Sequence, residues 1–361
     1  MSTVVIAPDS FKGSLSAREV AEAIAEGWRS VRPDDELVLV PQADGGEGTL
    51  DAVEASVPGA VRRSAGQVTG PDGRPTPGEW LQLPDGTAVV ELAQPSGLPL
   101  MRELDPLGAT SRGLGEVIRA ALNAGAPRLV IGLGGSASTD GAAGALSALG
   151  LVLLDEQGEL VPDGGRGLAD IVDAHRDGLA PLPAEGAIVL TDVTAPLLGP
   201  TGAAAVFGPQ KGATPEQVER LDAALAHFAE LLGGDPDLPG SGAAGGAGYG
   251  LSAVWGATIV PGSDHLAELS GLREAVARAD VLLSGEGRFD DQSLTGKVVG
   301  RVLALGNGIT TGVIAGQVTT DAGVWSASLT ELAGSVDAAM ADTALWLRAA
   351  GAKAASELIP R

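Results

Sequence analysis

Short apolar runs, each followed by a glycine-rich loop and an amphipathic helix, dominate both ends of this sequence. Residues 3–7 form one such run, and a capping box at Ser16 and Glu19 then begins a helix with one apolar face. A second run follows at 36–41, and the same alternation returns from about residue 265. This pattern predicts parallel strands, buried on both faces and joined by crossover helices.

The middle of the chain has a different pattern. The apolar runs at 78–83 and 87–93 are separated by a Pro-Asp-Gly turn, which predicts antiparallel strands. A chain of 361 residues also exceeds the size at which one hydrophobic core keeps growing. We therefore predict a two-domain α/β fold. A Rossmann- or flavodoxin-like α/β/α domain with a parallel sheet comprises residues 1–68 and 278–361, and a mixed α/β domain, residues 69–277, is inserted into it.

Composition narrows the classes of partner. A net charge of −23 repels nucleic acid and anionic membranes, so we expect neither as a partner. The absence of cysteine excludes disulfides and thiolate metal sites. The opening residues lack the pattern of a secretory signal, and we expect a cytoplasmic location. Residues 238–263 carry no charge, but eight glycines and two prolines predict a loop leading into a buried helix instead of a membrane span.

Five stretches place glycines beside charged side chains, and at least four of them directly follow an apolar run. They are residues 7–13, 43–49, 132–141, 191–212 and 284–297. Ligands of open α/β sheets bind outside the carboxyl ends of the strands, where such loops gather. The chain has only four lysines, and Lys12, Lys211 and Lys297 lie in these loops. Such placement favours a site that needs compact point charges.

The residue types in these loops suit phosphoryl transfer. That reaction needs cations and backbone N–H groups around phosphates, carboxylates for Mg²⁺, and a base for the acceptor hydroxyl. The available carboxylates are Asp9, Asp44, Glu47, Asp140, Asp192, Glu286, Asp290 and Asp291. No histidine lies in these loops, which disfavours a histidine base or a zinc site. The Walker pattern fails at residues 291–297, and no dinucleotide fingerprint follows the first strand, which disfavours a nicotinamide-linked oxidoreductase.

Six stretches, in order, closely resemble the bacterial glycerate kinases of the first type (type I). They are IAPDSFKGSLSAREVAEAIAEGW, DGGEGT, GLGGSASTDG, GPTGAAAVFGPQKGAT, GSGAAGGAGYGL and GEGRFDDQSLTGK. The resemblance covers nearly the whole chain. It implies phosphorylation of D-glycerate to 2-phosphoglycerate with ATP and Mg²⁺, in a cleft between two domains. The sequence departs from the family pattern at Thr139, Ala142 and Thr194, which affects loop geometry more than the type of reaction.

With this resemblance, the loop residues receive roles. The residues assigned to catalysis are Asp192, Lys12 and Asp9, and Asp192, expected to be partly buried, is the first choice as base or Mg²⁺ ligand. Substrate binding is assigned to Ser10, Glu286, Arg288 and Asp290, and Arg288 would pair with the substrate carboxylate. Nucleotide binding is assigned to Gly134, Gly135, Ser136, Ser138, Lys211 and Lys297. The residues assigned to Mg²⁺ are Asp192, Asp44 and Glu47.

Several alternatives stay open. Asp9 also suits a turn in which it bonds its own backbone, Asp140 suits a helix cap as well as a metal ligand, and Lys211 suits an ordinary surface loop. The product could instead be 3-phosphoglycerate, or the substrate another small hydroxy acid. From a different class, a non-catalytic sugar-acid sensor could use the same loops. For the assembly, a homodimer is one state that the chain could form.

Overall fold

The computed structural model describes residues 1–294, 298–321 and 323–359. Lys297, which the sequence assigns to the nucleotide, lies outside the described residues. The strands are β1 (Thr3–Ile6), β2 (Glu36–Leu39), β3 (Val61–Thr69), β4 (Pro75–Gln82), β5 (Ala88–Glu91), β6 (Leu129–Gly132), β7 (Val152–Leu154), β8 (Asp173–His175), β9 (Ala187–Leu190), β10 (Thr258–Val260), β11 (Val281–Phe289), β12 (Thr310–Val318) and β13 (Trp325–Ser328). The helices are α1 (Ala17–Val31), α2 (Thr49–Ser56), α3 (Ala93–Ser96), α4 (Arg112–Asn123), α5 (Ala143–Ala148), α6 (Ala203–Phe207), α7 (Pro215–Leu232), α8 (Ala243–Tyr249), α9 (Gly262–Leu269), α10 (Leu272–Val276), α11 (Val298–Leu305), α12 (Leu329–Ala333), α13 (Val336–Ala341) and α14 (Thr343–Glu357).

The chain forms two compact units. Unit 1 comprises Met1–Asp44, Asp51–Pro58 and Ser263–Arg361, and unit 2 comprises Gly45–Leu50 and Gly59–Gly262. The domain boundaries that the sequence analysis places at residues 69 and 278 stay a prediction. In the structure, the chain passes from one compact unit to the other after residues 44, 50, 58 and 262.

Unit 1 contains a parallel sheet. Among the described residues it has five strands in the order β13-β12-β11-β1-β2, and every neighbouring pair is parallel. From β1 the chain proceeds outward to β2, whereas from β11 it proceeds in the opposite direction to β12 and β13. The order therefore reverses between β1 and β11, and such a switch point is where open α/β sheets bind their ligands. The predicted parallel α/β domain is confirmed.

Helices α1 and α14 cover one face of this sheet, and the two helices pack against each other at very close range. A Cβ atom added at Gly27 would lie 2.0 Å from the carbonyl oxygen of Arg348, and one at Gly351 would lie 2.3 Å from that of Ile24. The two glycines therefore allow the helix backbones to touch. Trp28 and Leu347 are fully buried in the core beneath this crossing.

Strand β11 is longer than the sequence predicts. Residues 285–289 were expected in a loop, but they continue the strand, and Glu286 and Arg288 pair with Ala315 and Gln317 of β12. Glycine at position 285 permits this extension, because a Cβ atom there would lie 2.2 Å from the carbonyl oxygen of Ile314 in β12. Because strand residues two apart share a face, Glu286 and Arg288 project to the same side.

Unit 2 contains a mixed sheet. Among the described residues its order is β10-β9-β6-β5-β4-β3, with β3, β4 and β5 antiparallel and β5, β6, β9 and β10 parallel. The predicted antiparallel strands in the middle of the chain are thus confirmed. Glu91, Gly132 and Leu190 lie level with one another in the register of the parallel strands. The loops that follow β5, β6 and β9 therefore leave the sheet at one edge.

The uncharged stretch 238–263 is mostly buried from residue 240 to residue 255 and is more irregular than a loop followed by a helix. Ala244, Gly245 and Gly246 have left-handed backbone angles within α8, and a π-helical turn covers Gly250–Val254. Among residues 1–294, 298–321 and 323–359, we find no helix whose length and apolar character would let it cross a membrane.

Candidate active site

Three carboxylates of unit 1, Asp9, Asp44 and Glu286, form what we call the carboxylate cluster. Asp9 follows β1, and burial raises its pKa from 3.8 to about 7, with the charges of Asp44 and Glu286 contributing in the same direction. The backbone N–H of Ser10, 2.6 Å from Asp9 Oδ1, and the Lys12 cation act in the opposite direction. A carboxylate with such a pKa can accept a proton near neutral pH. The Asx-turn that the sequence offers as an alternative for Asp9 needs the N–H of Phe11, which donates instead to the carbonyl of Leu15, so this turn is not formed.

A cavity of about 220 Å³ lies beside Lys12 in unit 1. Gly287 of β11 and Gln317 of β12 also line it, which places it at the carboxyl edge of the sheet near the switch point. Its other walls are mainly apolar, with Phe11 and Met340 among them. Lys12 itself is exposed. The cavity thus offers a cation at the rim of a mostly apolar wall.

Arg288 and Asp290 lie close together at the end of β11. The Arg288 side chain is 62% exposed, and its Nε lies 3.5 Å from Asp290 Oδ2. Asp290 Oδ1 also accepts the backbone N–H of Gln292 at 3.0 Å. The guanidinium therefore remains accessible to an anion, while Asp290 takes part in the turn that follows the strand.

In unit 2, the loop of residues 132–139, the glycine-serine loop, packs backbone to backbone against residues 45–46. The N–H of Gly134 donates to the carbonyl of Gly45 at 3.0 Å, and a Cβ atom at Gly134 would lie 2.4 Å from the Cα of Gly46. Two motifs that are far apart in the sequence therefore meet here, and glycine at 134 is what permits the approach.

The glycine-serine loop presents unused donors. Among the described residues, no backbone carbonyl accepts the N–H groups of Gly135, Ser136, Ser138 and Thr139. In the same part of the chain, the buried Thr139 Oγ1 has no hydrogen-bond partner. Buried polar groups are rarely left without partners, and a concave run of backbone N–H groups binds anions. The loop thus suits a phosphate.

Glu91 is a residue that our sequence analysis missed. It ends β5 and is 5% exposed, and its carboxylate accepts the N–H groups of Gly48 at 3.1 Å and of Leu50 at 2.9 Å. These contacts fix the loop of residues 45–50 against the edge of the sheet. The available signal was an acid within the apolar run 87–93, which a buried strand tolerates only with donors nearby.

Asp140 accepts hydrogen bonds at the starts of two helices, although the N-cap positions themselves are Ser111 for α4 and Ala142 for α5. It is fully buried, and its Oδ2 accepts the N–H of Ser111 at 2.9 Å, the Ser111 hydroxyl at 2.8 Å and the N–H of Gly144 at 3.3 Å. Its Oδ1 accepts the hydroxyl of Ser138 at 3.0 Å. One carboxylate therefore joins the starts of α4 and α5 to the glycine-serine loop.

Lys211 is buried beneath the same loop. It is 2% exposed, and its Nζ donates to Ser136 Oγ at 2.9 Å and to the carbonyl oxygen of Ser138. Burial lowers its pKa from 10.5 to about 7, and the nearby Asp140 carboxylate partly offsets that effect. The surface position that the sequence left open for Lys211 is wrong, because the side chain is enclosed.

The remaining predicted carboxylates are more accessible. Asp192, on the loop that follows β9, is exposed, so the expectation that it is partly buried is wrong. Only four residues of its run form β9, and the chain leaves the sheet before Asp192. Glu47 is exposed as well. Across residues 1–294, 298–321 and 323–359, no three acidic or histidine side chains form a group that could hold a metal ion by themselves.

Comparisons with known proteins agree with the resemblance seen in the sequence. The profile of the glycerate kinase family matches residues 4–358. The glycerate 2-kinase of Escherichia coli (strain K12) is 44% identical over 332 residues, covering 89% of this chain and 87% of that protein. The glycerate kinase of Bacillus subtilis (strain 168) is 45% identical over 303 residues, covering 81% of this chain and 79% of that protein.

A solved structure agrees over the full length. The crystal structure described as that of a glycerate kinase 2 from Salmonella typhimurium LT2 superposes with a TM-score of 0.83 at 40% identity, covering 99% of this chain and 98% of that one. A family profile that spans nearly the whole chain and relatives at this level of identity establish the family. The chain belongs to the glycerate kinase family, whose members are phosphotransferases.

Proposed function

We propose that this enzyme transfers the γ-phosphoryl group of ATP to the 2-hydroxyl of D-glycerate and releases 2-phosphoglycerate and ADP. Membership of the family supports a glycerate kinase, and the name of the Escherichia coli relative supports the 2-hydroxyl as the acceptor. The use of ATP fits the chemistry of the loops, since phosphoryl transfer depends on positioning and on charge stabilisation.

The observation that carries this proposal is the set of unused donors in the glycine-serine loop of unit 2. The N–H groups of the exposed Gly135 and of Ser136 would receive phosphate oxygens, and the same loop holds further unused donors at the fully buried Ser138 and Thr139. Donors fixed by the fold in this way stabilise the charge that spreads over the equatorial oxygens during transfer, without a cost of reorganisation.

Asp9 is the residue best suited to accept the proton of the glycerate hydroxyl. A base works best when its pKa lies near the operating pH, and the pKa of Asp9 is raised to about 7 by burial and by Asp44. Lys12, on the same loop, would stabilise the anionic reactants, and the exposed guanidinium of Arg288 would hold the glycerate carboxylate with two parallel hydrogen bonds. The assignment of Asp192 to catalysis or to Mg²⁺ stays a prediction, as does that of Glu47 to Mg²⁺.

A magnesium ion would need only one or two carboxylates of this cluster beside the phosphates of ATP. Asp44 and Glu286 crowd negative charge against Asp9, and a divalent cation would relieve that crowding. Mg²⁺ commonly binds through one or two carboxylates together with substrate phosphates and water, so a complete protein cage is not required. When bound, the ion would neutralise charge on the phosphates of ATP. We propose Asp44 as a ligand, in agreement with its assignment from the sequence.

A coupled assay of ADP release tests this function. We expect turnover with D-glycerate, ATP and Mg²⁺, and much less with L-glycerate, glycolate or tartronate. The ³¹P and ¹³C NMR spectra of the product should show phosphate on carbon 2. No turnover with D-glycerate would refute the proposal, and tight binding of a sugar acid without turnover would indicate the sensor instead. Phosphate on carbon 3 would correct the position.

The location and the assembly stay open to direct measurement. A reaction that consumes ATP fits the cytoplasmic location expected from the sequence, and fractionation of the producing cells would test it. The homodimer also stays a prediction, and sedimentation equilibrium would decide it.

A further inference from the structure

The buried cation beneath the glycine-serine loop needs an explanation. Lys211 is one of four lysines in the chain and lies in a 3₁₀ turn, Pro209–Lys211, that ends at Gly212 with a left-handed φ of 90°. Its Nζ donates to Ser136 Oγ and to the Ser138 carbonyl from the protein interior. An ammonium group in an apolar interior is costly, so its retention points to a use.

The surroundings of Lys211 leave a ligand little access to its Nζ. A Cβ atom at Gly245 would lie 2.1 Å from the Ser138 carbonyl oxygen and 2.9 Å from the Lys211 Nζ. The left-handed turn at 244–246 therefore closes over the lysine, and only glycine at 245 allows it. Because its Nζ is enclosed between this turn and the Ser138 carbonyl, the lysine is placed to act on a phosphate through the loop that it holds.

The contact with Ser138 has a geometric consequence. A trans peptide is planar, so its carbonyl and the following N–H point in opposite directions. Because the Ser138 carbonyl points at Lys211, the N–H of Thr139 points away from it. Lys211 also holds the hydroxyl of Ser136, whose own N–H is one of the unused donors.

We propose that Lys211 is a positioning residue that aims the N–H groups of the glycine-serine loop at the phosphate from behind, and does not itself contact the nucleotide. This inference rests on the proposed function and revises the nucleotide-binding role assigned to Lys211 from the sequence. Arginine could not replace it, because a planar guanidinium needs more room than the enclosed ammonium occupies.

Amide hydrogen exchange of the ligand-free enzyme gives the first test. In Lys211→Met, which keeps most of the length of the side chain but removes its charge and its donors, we expect the amides of residues 134–139 to exchange about tenfold faster than in the wild type. Lys353→Met, on the exposed face of α14, is the matched control and should leave these amides unchanged. Unchanged exchange in Lys211→Met would overturn the proposal.

Kinetics and binding give the second test. A group that acts through its neighbours costs about 10- to 100-fold in activity, so we expect Lys211→Met to lower kcat/KM for ATP by that factor, with KM for D-glycerate little affected. Lys211→Arg should not restore it. Lost ADP binding without faster loop exchange would show direct contact and refute positioning.

The pH dependence offers a readout that a merely structural role would not change. The lysine loses its proton as pH rises through about 7, and Asp140 is the charged group that acts on it. The neutral amine still donates to Ser136 and Ser138, but more weakly than the ammonium, so the gap in kcat/KM between wild type and Lys211→Met should narrow from pH 6 to pH 9, and a gap that widens would contradict the proposal. If Lys211→Met fails to fold, Ser136→Ala should show the same faster exchange to a smaller degree. Wild-type enzyme that releases no ADP would refute the proposed function, while the exchange result would still decide the role of Lys211.

Discussion

Asp9 ends up where the fold opposes its ionisation. Its pKa rises from 3.8 to about 7, so the folded protein binds this proton more tightly than the unfolded chain does. Between those two pH values the unfolded state has released the proton and the folded state keeps it. Stability from this group is therefore greatest at low pH and is lost as pH rises toward 7.

Removing this charge should separate stability from activity. We expect Asp9→Asn to raise the free energy of unfolding by on the order of 1–2 kcal/mol at pH 8, and by less at pH 5, because asparagine stays neutral. The same variant should lose about 100-fold or more in kcat, since it removes the proposed base. Urea unfolding at both pH values and the ADP-release assay measure the two effects.

The exposed Asp34 provides the control for Asp9. Asp34→Asn should change neither stability nor its pH dependence measurably, because the side chain is in solvent. If the stability advantage of Asp9→Asn over the wild type does not grow from pH 5 to pH 8, the environment described for this carboxylate is contradicted. Wild-type kcat/KM should also fall as pH drops below about 7, as Asp9 becomes protonated.

For single residues, the sequence predicts which side chains belong to the candidate site better than it predicts their burial or pKa. Asp9 and Lys12 were found because a charged, glycine-bearing loop follows an apolar run. The raised pKa of Asp9 comes first from burial and then from Asp44 and Glu286, and these surroundings are a consequence of strand order. Lys211 was assigned to phosphate from its loop, but its burial depends on Gly245 and could not be seen in its own segment.

Among the elements, the crossing of α1 and α14 makes the sharpest demand on sequence. Helix propensity alone would make Gly27→Ala stabilising by about 1 kcal/mol. The added Cβ atom would lie 2.0 Å from the carbonyl oxygen of Arg348, so the helices must separate. We expect a net loss of about 1–3 kcal/mol, measured as the free energy of unfolding in urea.

Glu22→Ala, which removes only an exposed ion pair from the same helix, should cost less than about 1 kcal/mol. A stabilised Gly27→Ala variant would mean that the helices do not touch here.

The sequence predicts a helix or strand correctly where signals within that segment are sufficient. It fails where contacts with other segments determine the structure. The capping box at Ser16 predicts the start of α1, and it is present. The extension of β11 through Phe289 depends on pairing with β12, which its glycines and charges do not suggest. Ala244, in a left-handed conformation that alanine rarely adopts, is likewise held by tertiary packing and carries no signal in its own sequence.

At the scale of the whole molecule, each compact unit has its own hydrophobic core. The core of unit 2 is built entirely from residues between Val68 and Ala257, whereas that of unit 1 combines residues such as Val4 and Trp28 with others after residue 280. The alternation of strands and helices predicts this separation into an interrupted parallel unit and an inserted mixed one. The exact residues at which the chain passes between the units could not be predicted. The loop of residues 45–50 belongs to unit 2 because of its contact with Glu91, and nothing in the sequence near residue 45 indicates that contact.

Separate cores predict that the inserted unit folds by itself. We expect the fragment of residues 45–262 to unfold cooperatively in urea, because it keeps its complete sheet, its core and the contacts of Glu91 with the loop of residues 45–50. It should also retain slow amide exchange in β5, β6 and β9, which are buried strands of its sheet. The fragment of residues 263–359 is the contrasting case, since it lacks β1, the strand that pairs with β11, and should show no cooperative transition. Gradual unfolding of the first fragment, or cooperative unfolding of the second, would mean that the cores are not independent in this way.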